Sequence, residues 1–240
     1  MLFKKRKEKS NTFSQSAHLI SFTKPQSNQA EQFRSIRTNI NFAQVGKKVK
    51  SILVSSSIPK EGKSTLSANL AFTMAQTGKR VLLVDADLRK PTVHRTFRLN
   101  NDSGLTTLIA DEEESIKFNE VVQYSRDLNL YFLPSGPIPP NPSELLGSAR
   151  MQAIMDTLKT HFDVVIYDAP PIAAVTDPKI LATLVDGVVF VVRRGFVSKD
   201  KVRESMTALN NLDTTLLGYV LNDVPKDENE TYYYYREEKY

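Results

Sequence analysis

An α/β fold built on a doubly wound, mostly parallel sheet is what this sequence predicts, on three observations. Short runs of Val, Ile and Leu alternate with segments of helical periodicity along most of the 240 residues. Those runs are apolar at successive positions rather than at every second one, the pattern of parallel strands covered by helices on both faces. The first run also leads through a short loop into Gly62-Lys63-Ser64-Thr65 at the head of a helical pattern, the strand–loop–helix arrangement that cradles phosphate. Strands separated by helices imply right-handed crossovers and helices on both sides of one sheet.

Residues 1–26 are polar and basic, lack apolar periodicity and read as a flexible arm. A helix is expected from Ser27 or Asn28, either of which can cap it, to about Gln44, with Phe33, Ile36 and Ile40 at helical spacing and Gly46 beyond its end. Strand and helix then alternate: a strand over 51–56, a helix over 64–77 ended by Gly78, and a strand over 81–85. Further strands are expected over 129–133, 163–168, 187–192 and 215–221, with helices over 148–160, 178–184 and 198–212. The segment PSGPIPPNPS, residues 134–143, carries too many prolines for regular structure and reads as a loop. Residues 223–240 form a polar, disordered tail with Tyr232, Tyr233, Tyr234, Tyr235 and Tyr240 among its last nine residues.

Composition removes several classes of function. The net charge of +5 is concentrated in residues 1–10, where five cations face Glu8, so everything after them sums to only +1. A basic tail rather than a basic domain surface is implied, and no nucleic-acid partner is expected. The arm itself suits either a solvated end or a contact with an anionic surface. The absence of cysteine excludes disulfides, thiolate catalysis and cysteine-ligated metals. His18, His94 and His161 are too scattered for a histidine metal site. Apolar runs such as Val188–Val192 fall far short of the ~20 residues that span a bilayer, and the N-terminus lacks the apolar region of a secretory signal. A cytoplasmic protein is expected, reaching a membrane only through a partner or its tail.

In open parallel sheets ligands sit beyond the carboxyl ends of the strands, and three predicted strands end in suitable chemistry. The first delivers the loop from Ser57 to Thr65, in which Pro59, Lys60, Glu61 and Gly62 precede Lys63 and Ser64. Backbone N–H groups there are placed to meet phosphate oxygens, Lys63 supplies a point charge, and the Ser64 hydroxyl suits Mg²⁺. The second strand, VLLVDADLRKP, ends in Asp85 and Asp87, and the third, FDVVIYDAPP, ends in Asp168. Carboxylates and hydroxyls are the ligands Mg²⁺ takes. One carboxylate beside the metal can instead accept a proton from an attacking hydroxyl, or either Asp85 or Asp87 can simply cap a helix or turn. A nucleoside triphosphate, ATP, with Mg²⁺ is the expected ligand.

These three motifs resemble the Walker A, A′ and B motifs of the bacterial tyrosine kinases, whose fold is similar to that of the MinD/ParA-like P-loop ATPases rather than to eukaryotic protein kinases. Glu31-Gln32-Phe33-Arg34-Ser35-Ile36-Arg37 resembles the family's E-x-x-R-x-x-R helix motif, and the tyrosine cluster resembles its autophosphorylation sites. The likeness covers residues 27–240 and is strongest to the stand-alone CpsD/CapB-type kinases of capsule and exopolysaccharide synthesis. It implies a kinase domain over 27–222 with an oligomerisation helix at its start. Lys63 and the loop would hold phosphates; Ser64, Asp87 and Asp168 would serve Mg²⁺; Asp85 would take the proton of a tyrosine hydroxyl, with Lys63, Asp85 and Asp87 as the catalytic set. Asn222, in YVLND, resembles an adenine-contacting asparagine.

The resemblance further implies autophosphorylation in trans at Tyr232–Tyr235 or Tyr240. It implies a ring, an octamer, assembled through Glu31, Arg34 and Arg37, and a transmembrane polysaccharide co-polymerase-type adaptor. A cognate tyrosine phosphatase and other tyrosine-bearing protein substrates complete the implied partners. Helical spacing alone puts Glu31, Arg34 and Arg37 on one face, which suits either an ion-pairing contact or a solvated salt-bridged surface. Three departures stand out: Ser57 replaces the first loop glycine, Ile58 stands where MinD/ParA-type ATPases carry a second lysine, and Lys60 follows Pro59 where the kinases often have glycine. A MinD/ParA-like partitioning ATPase is the competing function; the tyrosine tail and Ile58 both count against it.

Overall fold

A computed structural model of the chain describes residues 19–43, 48–111, 113 and 115–225. The five-strand centre follows from sequence: β1 (Ser51–Ser56), β2 (Val81–Asp85) and β5 (Val164–Asp168) are buried at every position, while β4 (Leu130–Leu133) and β6 (Gly187–Arg193) are nearly so. With β3 (Gln123–Ser125) and β7 (Leu216–Asn222) at the edges they form one seven-stranded sheet in the order β3-β4-β2-β5-β1-β6-β7. Only the β3–β4 pair is antiparallel. The short, half-buried β3 was not expected from sequence, because three residues offer too little periodicity to detect.

Because successive strand residues face opposite ways, the buried strands feed two separate cores. Ile52, Val54, Leu83, Ile166 and Val189 pack with one set of helices, and Leu53, Leu82, Val165, Tyr167 and Val188 with the other. The first layer holds α1 (Ile20–Thr23), α2 (Asn28–Phe42), α3 (Lys63–Ala75) and α4 (Val93–Phe97). The second holds α5 (Leu105–Ala110), α6 (Phe118–Val121), α7 (Pro142–Leu146), α8 (Ala149–His161), α9 (Asp177–Ala182) and α10 (Lys199–Asn210). Ser27, Ser148 and Ser198 accept backbone N–H bonds as N-caps of α2, α8 and α10, each satisfying a donor that the helix itself cannot.

Three expectations are corrected. The arm assigned to residues 1–26 does not extend that far: Leu19 is fully buried, Phe22 packs edge-on against Phe72 at 5.6 Å, and the Ser21 amide donates to Asn69 Oδ1 on α3 at 2.9 Å. Apolar Leu19 and Phe22, set two turns before the capped helix, are what tie it down. The proline-rich loop ends sooner than expected, because Pro142 opens α7 at a first-turn position that needs no N–H. The stretch between β2 and β4, given no helices from sequence, contains the short α4, α5 and α6. The basic residues 1–10 and the tyrosine cluster, Tyr232–Tyr235 and Tyr240, lie outside the described residues.

Candidate active site

The carboxyl ends of β1, β2 and β5 lie side by side, since Val54 pairs with Asp168 and Asp168 with Asp85. β1 runs into the phosphate-loop segment, which Gly62 turns into α3. Gly62 adopts φ +99°, a left-handed conformation that side chains disfavour. A Cβ there would push the Asn222 amide aside, so the backbone demands glycine and the neighbouring side chain favours it. Lys63 follows with its side chain almost wholly buried, its Nζ 3.4 Å from Asp87 Oδ2 and 4.0 Å from Asp168 Oδ1. The Ser64 hydroxyl accepts from the same Nζ at 3.3 Å. Asp168 accepts a further bond from Ser67 at 3.2 Å, a residue that sequence reasoning missed. Its only signal was its place one helical turn after Lys63.

The site thus holds one ammonium among three carboxylates. Burial pulls the Lys63 ammonium down, but the charges of Asp168, Asp87 and Asp85 outweigh it and hold the group above the ordinary lysine value. Burial, with the neighbouring Asp168 charge, pushes the Asp85 carboxyl up to about 8, against the pull of backbone N–H bonds from Val93 and Thr92. Burial also raises Asp168, opposed by Lys63.

Asp85 and Asp87 do not point the same way, as an extended run would have required, because β2 ends at Asp85 and the chain turns. Asp85 Oδ2 accepts the amides of Thr92 and Val93 at 2.9 Å each, seating the start of α4. Asp87 Oδ1 accepts the Lys90 amide at 3.0 Å while its other oxygen meets Lys63. The capping alternative for Asp85 therefore holds for one of its two oxygens. The other, Asp85 Oδ1, is buried without a partner, as is Asp168 Oδ2. Two such lone pairs are costly to bury unless a donor or a cation meets them. The Asp168 oxygen fits an oxygen-ligated divalent ion such as Mg²⁺, which binds through one or two carboxylates plus phosphate oxygens and water, and the Asp85 oxygen fits a group that brings a proton. Among the described residues no three acidic or histidine side chains come together to hold a metal unaided.

Glu61 was expected among the phosphate contacts. Its side chain instead turns into the protein, fully buried, with Oε2 accepting the Ile58 amide at 2.7 Å and Oε1 the Arg193 amide at 3.1 Å. It braces the loop against the end of β6. Asn222 does similar work: its Nδ2 donates to the Glu61 carbonyl at 2.9 Å. Arg193 completes the brace, pairing with Asp223 at 2.9 Å and reaching the Lys60 carbonyl at 3.4 Å. Lys60 takes φ +70°, a left-handed conformation in which glycine would be unstrained; Pro59 and Lys60 are exposed at the loop's outer edge, while Ser57 is buried and Thr65 half-buried. On the other flank Arg89 forks onto the buried Asp177 at 2.8 and 3.0 Å and onto Ser143, tying the second acidic loop to α9 and α7. Arg89 and Arg193 were legible only as basic residues just past strands that end at the site.

Of the three residues expected at a subunit contact, Arg34 pairs with Glu31 and with the Pro25 carbonyl, and Arg37 donates to the Thr73 carbonyl of α3 at 2.7 Å. Their face is in part committed within the chain.

Residues 49–218 match the AAA domain family. The chain is 44% identical over 218 residues to the tyrosine-protein kinase YwqD of Bacillus subtilis (strain 168), covering 91% of each. The crystal structure of the chimerical protein CapA2B2 superposes with a TM-score of 0.83 at 40% identity, over 88% of this chain and 91% of that one. The septum site-determining protein MinD of Pyrococcus horikoshii OT3, at 19% identity and a TM-score of 0.60, over 75% of this chain and 72% of that one, shares the fold. A phosphate loop braced at the switch point of a parallel sheet, three carboxylates around its lysine and this degree of likeness together place the chain in the bacterial tyrosine kinase family.

Proposed function

We propose that this chain transfers the γ-phosphoryl group of ATP, bound with Mg²⁺, to tyrosine hydroxyls, first those of Tyr232–Tyr235 or Tyr240 on a neighbouring copy. The observation that carries this reading is the Lys63 ammonium set between Asp87 and Asp168, beside two buried carboxylate oxygens without partners. The loop amides and Lys63 bind the phosphates and keep their charge in place during transfer. Ser64, Asp87 and Asp168 are the residues that would hold Mg²⁺, which when bound neutralises charge on the β- and γ-phosphates. The tyrosine oxygen forms the new P–O bond as the bond from the γ-phosphorus to the bridging oxygen breaks, and ADP leaves. The phenolic proton goes to Asp85 Oδ1. Its elevated proton affinity suits a base that must take a proton near neutral pH. Asn222, proposed on resemblance to touch adenine, would do so with whatever hydrogen-bonding capacity its bond to Glu61 leaves.

The same reading extends to partners. Glu31, Arg34 and Arg37 are assigned to subunit contacts in a ring of eight, with Arg37 exchanging its Thr73 bond for a neighbour's acceptor. Among the described residues no helix is long and apolar enough to cross a membrane; the partner assigned on resemblance is a separate transmembrane adaptor of the polysaccharide co-polymerase type. That adaptor would hold the chain at the inner face of the membrane, where it regulates capsule or exopolysaccharide synthesis and a cognate phosphatase resets it. Incubation with ATP and Mg²⁺, with the adaptor's cytoplasmic end supplied, should label tail tyrosines, detected by phosphotyrosine blotting and mass spectrometry. Persistence of that label in Lys63→Met would refute the mechanism.

A further inference from the structure

The second acidic strand is followed by five basic or titratable side chains, and the kinase reading accounts for none of them. Arg89 is spent on Asp177 and Ser143. His94 is half-buried, and burial, with Arg95 beside it, holds its imidazole below the ordinary histidine value. Lys90, Arg95 and Arg98 remain. All three are exposed, and among the described residues none has a carboxylate within ion-pair distance.

Their position is fixed by the catalytic apparatus. The Lys90 amide bonds Asp87, and the first turn of α4 bonds Asp85 through Thr92 and Val93. Arg95 stands within α4, roughly 3 Å along its axis beyond Val93 at ~1.5 Å per residue, and Arg98 is the left-handed residue that ends the helix. Three uncommitted cations thus sit on the loop and helix whose amides hold Asp87 and Asp85, the carboxylate that a tyrosine hydroxyl must approach. The segment that brings such hydroxyls, residues 226–240, carries five carboxylates against three cations. Glu230 lies two residues before Tyr232, and Glu237 and Glu238 lie two and three residues after Tyr235. An extended chain advances ~3.3 Å per residue, so acids at these offsets fall within about 7–10 Å of an acceptor, close enough for the basic loop and helix to attract them while the acceptor approaches Asp85.

Resting on the kinase reading above, we infer that Lys90, Arg95 and Arg98 form a specificity site that selects acidic tyrosine-bearing segments, the first of them residues 226–240 of a second copy. The cations bind the carboxylates flanking the acceptor and so set which tyrosines are presented to Asp85.

The test uses two full-length chains. The catalytic chain carries Tyr→Phe at positions 232–235 and 240; the acceptor chain carries Lys63→Met and either its native tail or one with Asp227→Asn, Glu228→Gln, Glu230→Gln, Glu237→Gln and Glu238→Gln. The native tail should be phosphorylated about tenfold faster than the amide tail at low salt, and the preference should shrink as salt is added. A catalytic chain with Lys90→Gln, Arg95→Gln and Arg98→Asn should phosphorylate both tails at the slower rate, its activity on the amide tail matching the parent's. A chain with all three changed to Glu should regain speed on a tail whose five acids are Lys. Equal rates of the parent on both tails, or no recovery in the charge-reversed pair, would overturn the inference while leaving the kinase assignment intact. So would a triple variant that loses binding to phosphatidylglycerol vesicles yet keeps its preference for the native tail, since the cations would then serve a membrane. Absence of phosphotyrosine on every acceptor, the parent chain included, would overturn the kinase reading and this inference with it.

Discussion

Glu61 separates two accounts of the phosphate loop. Sequence spacing puts it among the phosphate contacts; the structure puts its carboxylate inside, holding the Ile58 and Arg193 amides. Glu61→Gln tests the difference. The glutamine carbonyl oxygen can keep one of those N–H groups, but its amide nitrogen then faces the other donor. One charge-assisted bond is lost and one buried N–H is left unsatisfied, a cost of about 2 kcal/mol. For a folded unit of this size that lowers Tm by roughly 4–8 °C. The fall should appear in nucleotide-free protein by differential scanning fluorimetry. Affinity for a fluorescent ATP analogue should weaken as well, because the loop loses its tie to β6. If the nucleotide-free Tm stays within about 1 °C of the parent while affinity drops, Glu61 acts on phosphate directly and the brace is wrong.

Gly62→Ala forces a left-handed residue with a Cβ against Asn222, so nucleotide affinity should fall at least tenfold, or about 1.4 kcal/mol, and calorimetry on Gly62→Ala with Asn222→Ala should show part of it restored. Arg37→Ala gives up the bond to the Thr73 carbonyl and should cost about 1 kcal/mol in the monomer; light scattering of the Glu31, Arg34 and Arg37 triple alanine variant decides whether the same residues also hold a ring, an unchanged mass ruling it out. Burial would raise the Asp177 carboxyl, but hydrogen bonds from Arg89 and Ser143, with the Arg89 charge, hold it below its ordinary 3.8. Its contribution is therefore present above about pH 4 and lost as pH falls through the lower folded value. Asp177→Asn should cost about 2 kcal/mol at neutral pH and flatten the acid limb of a Tm-against-pH curve.

Much of the fold was legible because burial leaves a signature in composition. β1, β2 and β5 read as strands from uninterrupted apolar runs, and α3 and α8 from helical spacing with serine or glycine at their starts. The misses share a cause. β3, α4, α5 and α6 each span six residues or fewer, too short for a period to stand out, and what holds them is tertiary: the ring of Phe97 in α4 sits 4.4 Å from that of Phe132 in β4. α1 was lost inside a basic stretch because two apolar residues, Leu19 and Phe22, decide its docking and charge counting hides them.

The site divides along the same line. Which groups gather around the phosphate loop follows from topology: residues at the carboxyl ends of adjacent parallel strands must be neighbours, so Lys63, Asp85, Asp87 and Asp168 converge as the strand order dictates. Which way each group faces does not follow, because it depends on partners supplied from elsewhere in the chain. Asp85 turns one oxygen to α4, a helix that no periodicity revealed; Glu61 turns inward because β6 ends in an amide, that of Arg193, placed to receive it; Asn222 faces Gly62 because β7 ends beside it. Motif spacing therefore names the members of a phosphate site, while the side-chain bonds between loops assign their work. A residue inside a motif can be a strut, as Glu61 is, and a residue outside every motif, such as Arg193, can hold the motif in shape.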